Sequence, residues 1–96
     1  MSRRLEWTSR AIRRVEEIGV YFAKDSPTAA ERVTTRLQAA PESLSTHRAI
    51  GRTGRITGTR ELLLADIPYI IAHRVTETSV EVLTVMHTSQ RWPEAL

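Results

Sequence analysis

From Ala30 the apolar residues Ala30, Val33, Leu37, Ala40 and Leu44 advance by three, four, three and four positions. An α-helix returns such positions to one face, so this segment is a helix with one packed side. Ser26 stands where a side-chain oxygen caps the first amides, and Pro27 suits the first helical position. Pro41 ends the helix near Ala40 or kinks it there. A second stripe lies upstream: Ala11, Val15, Ile18 and Phe22, joined by Ile12 and Gly19, with Thr8 or Ser9 as its cap. Two stripes joined by a short link predict an antiparallel helical hairpin. Gly19 costs about 1 kcal/mol in a helix interior and permits close approach of the second helix. Arginines near the start of the first helix (Arg10, Arg13 and Arg14) oppose the helix dipole, so they are not there for helix stability.

Around the hairpin the period changes to two. Residues 4–8, RLEWT, alternate Leu5 and Trp7 against polar neighbours and read as a short strand. TRELLL, YIIAHRV and VEVLTVMH read as three strands joined by ADIP and TETS, which makes an antiparallel meander. VEVLTVM is apolar on both faces in its middle, as a central strand would be. STHRAIGRTGRITG carries few large apolar residues and reads as loop. The order is strand, two helices, three strands. This is a single α+β domain over residues 1–96, with the helical hairpin packed on one face of an antiparallel sheet. The other face is left free to bind.

The absence of cysteine excludes disulfides and thiolate metal sites and fits a cytoplasmic protein. No apolar run approaches membrane-spanning length, and the N-terminus lacks the apolar stretch of a secretory signal. The net charge is +3, and of the 14 basic residues only Lys24 is a lysine. A GC-rich genome accounts for that bias, so the positions of the arginines carry the functional argument.

GRTGRITGTREL, from Gly51 to Leu62, holds three glycines and three arginines. The glycine spacing matches neither the dinucleotide fingerprint nor the Walker A loop, and the segment follows a helix instead of opening one. From Arg48 to Arg60 there are four arginines and no acid. Two readings stand here: a surface for a polyanion or acidic partner, or a solvated connector whose glycines permit turns. The binding candidates are Arg48, Arg52, Arg55, Arg60 and Trp92, the last on a tail after Arg91. His47 reads as solvated and His73 as a satisfied, partly buried residue. No pair among His47, His73 and His87 has metal spacing, so no metal and no cofactor are expected. RNA cleavage would need a base, an acid and a cation. His87, Glu61, Arg60, Arg74 and Arg91 are the residue types for it.

GRTGRITGTREL, PYIIAHRV and VEVLTVMHTSQRWP together resemble the C-terminal half of the RelE/ParE family of bacterial toxins, and SPTAAERV resembles the opening of that family's second helix. The resemblance covers nearly the whole chain. It implies the toxin of a type II toxin–antitoxin pair, in a hetero-oligomer with a cognate acidic antitoxin. It also implies one of two targets: the ribosome with its mRNA, cut by RelE-like members, or DNA gyrase, poisoned by ParE-like members. If the chain is a nuclease, the resemblance points to Arg60, Arg74, His87 and Arg91 as catalytic. The chain departs from the RelE pattern, however. Where that family commonly reads Tyr-Arg-Val-Ile-Tyr, this chain has Tyr69-Ile70-Ile71-Ala72-His73. Arg74 lies about 13 Å further along the strand. The common His-Arg pair becomes His87-Thr88. The His87…Arg91-Trp92-Pro93 ending is closer to ParE-like members. The expectation is therefore a gyrase inhibitor, with an mRNA endonuclease and a non-toxic antitoxin-binding remnant as alternatives.

Overall fold

The computed structural model describes residues 3–45, 51–93 and 95. The elements run β1 (Arg4–Trp7), α1 (Ser9–Ala23), α2 (Pro27–Ala39), a 3₁₀ turn (Ala40–Ser45), β2 (Arg52–Thr53), β3 (Arg60–Leu63), β4 (Tyr69–Val75) and β5 (Ser79–His87). The caps follow the sequence. Thr8 Oγ1 accepts from the Ala11 amide at 3.1 Å, and Ser26 Oγ from the Ala29 amide at 3.1 Å. Pro41 has no amide hydrogen for the Leu37 carbonyl, and there the α-helix tightens into the 3₁₀ turn.

The strands form one five-stranded sheet in the order β1-β5-β4-β3-β2. β2 to β5 pair antiparallel, as a meander must. The fully antiparallel sheet expected from the sequence needs one correction. β1 lies parallel to β5, with Leu5 opposite Val80 and Trp7 opposite Val82, so the sheet is mixed. The link to the helices sets this direction. α1 begins two residues after Trp7 and must fold back across the sheet from the point where β1 ends. A second correction concerns the expected loop, where Arg52 and Thr53 pair with Glu61 and Arg60. His47, Arg48 and the rest of 46–50 lie outside the described residues.

The core lies between the helical hairpin and one face of the sheet. Ala11, Val15, Ile18, Val33 and Leu37 meet Tyr69, Ile71, Val82 and Val85. A bulge lets Val82 and Val85 share that face: Ala72 pairs with Thr84 but His73 with Val82, leaving Leu83 as the extra residue. The run apolar on both faces is thus a bulged strand, paired on both sides over Val80–Val82. His73 is fully buried, with Nδ1 3.3 Å from the Ile71 carbonyl.

Gly19 sits where α1 crosses α2. A Cβ there would lie 3.0 Å from Thr34 Cγ2. Gly19→Val is therefore expected to lose about 1–3 kcal/mol by overpacking, read as a lower urea midpoint. An unchanged midpoint would mean that the helices can separate at no cost.

Candidate functional site

The face of the sheet away from the helices is set by alternation. Tyr69 and Ile71 enter the core, so Ile70 and Ala72 point the other way, with Glu61, Thr84 and Met86 beside them. This second face is not bare, since Ile70, Ala72, Thr84 and Met86 are all buried. The β2–β3 hairpin and the tail after β5 fold over it.

The hairpin is organised around Glu61, whose side chain is 2% exposed. Arg52 donates to Oε1 through Nη2 at 3.0 Å and Nε at 3.2 Å. Arg55 donates to Oε2 through its backbone amide at 2.9 Å and Nε at 3.1 Å. Burial pushes the Glu61 carboxyl up, but the bonds from Arg55 and Arg52 outweigh it and hold the group below its ordinary value. The loop closes tightly at Gly54, whose amide donates to the Thr59 carbonyl at 2.8 Å. A Cβ at Gly54 would meet Thr59 backbone atoms at 2.9 Å. Two of the loop's arginines thus share one buried carboxylate. Arg60 faces the helix side opposite His73 and donates through Nη1 to the Gly51 carbonyl at 3.2 Å.

Trp92 packs back over this face. The Arg55 guanidinium stacks 4.1 Å from its ring centroid, so hairpin and tail are joined through a cation–π contact. Beside Trp92 a groove of about 390 Å³ opens, lined by Arg10 and Arg14 of α1, Thr84 and Met86 of β5, and Arg91 of the tail. The position of α1 explains how two segments so distant in sequence meet. β1 covers β5 only to Val82, so beyond it the β5 carbonyls on that edge have no strand partner. Thr8 Oγ1 donates to the Leu83 carbonyl at 2.9 Å, and Arg14 Nε to the Val85 carbonyl at 3.0 Å. Arg14 Nη2 also holds Gln90 of the tail at 3.0 Å.

The four residues named for RNA cleavage do not gather. His87 lies on the helix side, edge-on to Tyr69 at 5.3 Å, and its Nδ1 accepts from the Ser89 amide at 3.1 Å. Arg60 is on that side too, but opposite His73, four residues along β4 from Tyr69, about 13 Å. Arg74 is on the other face, at the far end of β4, 3.7 Å from Glu81. Arg91 lines the groove. Glu61, the available acid, is enclosed by Arg52 and Arg55. Sequence reasoning gave Arg10 and Arg14 no site role. Their signal was present in two arginines four apart, on one helix face, at the end where the dipole disfavours them.

Residues 5–92 match the family described as the ParE toxin of the type II toxin–antitoxin system parDE. The chain belongs to the ParE toxin family. Two relatives agree in kind. The Sinorhizobium fredii protein named "Putative toxin Y4kP" is 56% identical over the full length of both chains. Toxin RelE2 of Caulobacter vibrioides is 33% identical over 84 residues, 88% of this chain and 93% of its own. Among solved structures, the fold is similar to a chain of the chromosomal ParDE system from P. aeruginosa. That match has a TM-score of 0.85 at 20% identity, covering 92% of this chain and 98% of that one. It is also similar to a chain of the RelBE2 toxin–antitoxin complex from Mycobacterium tuberculosis, with a TM-score of 0.61 at 19% identity, covering 94% and 95%. This ParE-family chain thus has the fold shared by both branches, as the resemblance implied. Among the described residues no helix is long and apolar enough to cross a membrane.

Proposed function

We propose that this chain is a cytoplasmic ParE-like toxin that arrests bacterial growth by inhibiting DNA gyrase, without itself being an enzyme, and that a cognate acidic antitoxin neutralises it in a hetero-oligomer. The observation that carries the target is the scatter of the nuclease residues. A general base and the cations that would stabilise a phosphorane must converge within hydrogen-bond reach of one phosphate. Here His87 and Arg74 lie on opposite faces of the sheet, at opposite ends of β4. The antitoxin reading draws on exposed apolar side chains of α1: Ile12, Val20 and Tyr21 are 49%, 64% and 66% exposed. It draws also on the positive hairpin, where Arg52 and Arg55 share one carboxylate and retain surplus charge. Arg52, Arg55 and Trp92 then border the masked surface, while Arg60 faces the helix side and Arg48 lies outside the described residues.

The identity with Toxin RelE2 favours a second reading, a ribosome-dependent mRNA endonuclease. Purified full-length chain is expected to inhibit supercoiling by gyrase or trap its cleavage complex, and its expression to arrest growth with an SOS response. Gyrase left untouched while ribosome-bound mRNA is cut would replace the first reading with the second. No growth arrest at all would leave the antitoxin-binding remnant.

A further inference from the structure

The arginines at the start of α1 are a cost to the helix, and the structure shows what two of them do. Arg14 closes the free edge of β5 and ties down the tail through Gln90. Arg10, four residues earlier on the same helix face, has no ion-pair partner among the described residues, and neither does Arg91. Both stand with Arg14 around the groove beside Trp92. No carboxylate is among the described residues that line it. The indole N–H of Trp92 is buried and has no hydrogen-bond acceptor among the described residues. A buried donor without an acceptor is costly. Three guanidinium groups and the Thr84 hydroxyl around one space, with no carboxylate among the described residues that line it, call for an anion with several acceptor oxygens. The positive end of the α1 dipole points the same way.

We propose that this groove binds a backbone phosphate of DNA. A phosphodiester fits better than a carboxylate, because the donors approach from α1, β5 and the tail, and a tetrahedral anion presents oxygens in all of those directions. A planar carboxylate is satisfied by a single arginine fork. The choice of DNA among phosphate polymers rests on the gyrase reading, since a toxin seated on gyrase lies beside the DNA that gyrase holds.

The test is fluorescence anisotropy of a short labelled DNA duplex with the full chain purified free of antitoxin, titrated over salt. Arg10→Gln with Arg91→Gln is expected to weaken binding at least ten-fold and to flatten the slope of log affinity against log salt by close to two, about 0.9 for each lost phosphate contact. Arg4→Gln with Arg13→Gln removes the same charge outside the groove and is expected to weaken binding less. Urea unfolding of both double variants checks that the fold is kept. The site is overturned if wild type does not bind DNA at low salt, or if the two double variants weaken binding equally. It is overturned as a DNA site if an RNA of the same length binds more tightly, or if inorganic phosphate or an acidic peptide competes as well as unlabelled DNA. Gyrase inhibition without DNA binding sinks the groove and leaves the gyrase reading. DNA binding lost in the groove variant, with gyrase indifferent to wild type, supports the phosphate site and sinks the gyrase reading.

Discussion

Replacing Arg52 and Arg55 together with alanine is expected to lower folding stability by about 3 kcal/mol, the lower end of the range for breaking a buried ion pair. The loss comes from what the two arginines leave behind. The Glu61 side chain is 2% exposed, whereas those of Arg52 and Arg55 are 55% and 44% exposed. Removing the cations strands a desolvated carboxylate, while removing the carboxylate strands two cations that water still reaches. Adding Glu61→Gln to the double variant should therefore recover much of the loss. The hairpin also sets a pH dependence. The folded Glu61 carboxyl lies below its unfolded value of 4.5, so its stabilisation is fully present above that pH. It is lost as pH falls from there through the depressed folded value. Glu61→Gln should flatten this part of the stability curve. Urea unfolding of the variants at neutral and acid pH measures both effects. A loss under about 1 kcal/mol for the double alanine variant would make the cluster an ordinary surface pair. The same geometry bears on how the hairpin's binding role is tested. Reversing the charge of Arg52 and Arg55 would set two acids against a buried third and damage the fold before it probed a partner. Arg10 and Arg91, exposed and without ion pairs among the described residues, are the cleaner probes of surface charge.

The parts of this fold that were legible in the sequence are those fixed by local periodicity. The two helical stripes, the Thr8 and Ser26 caps, the Pro41 break and the three meander strands all follow from spacing within one segment. What was not legible depends on pairing between distant segments. Alternation in RLEWT says that Leu5 and Trp7 share a face, and it says so equally for either strand direction. The parallel alignment with β5 was therefore hidden. β2 is two residues long, too short to show any period. The bulge at Leu83 looks in sequence like burial on both faces. At the site, Glu61 reads as a polar residue of a strand, and only the register opposite Arg52 and Ala72 reveals a buried anion between two arginines. Arg10 and Arg14 showed their oddity in sequence. Their destination beside a tail some 80 residues away was set by the short reach of β1 along β5.

Leu37→Ala is the second large effect, and it separates loss of fold from loss of site. Leu37 is fully buried between α1 and the sheet, and truncating such a leucine costs about 2–5 kcal/mol. Small domains have only about 5–15 kcal/mol in all. The melting temperature should fall by about 4–8 °C for each kcal/mol lost. Toxicity should fall with it, although Leu37 lines no groove described above. A partner that binds only the folded chain reverses this by mass action, adding about 2.7 kcal/mol at a hundredfold excess over its dissociation constant. Saturating antitoxin should therefore restore much of the melting temperature of Leu37→Ala. It should not restore DNA affinity to Arg10→Gln with Arg91→Gln, where the fold is intact and the charge is missing. Thermal melts of Leu37→Ala with and without antitoxin decide the point. If saturating antitoxin left the melting temperature where it was, the partner would not be selecting the folded hairpin-on-sheet core, and the neutralisation proposed here would have to act on some other state of the chain.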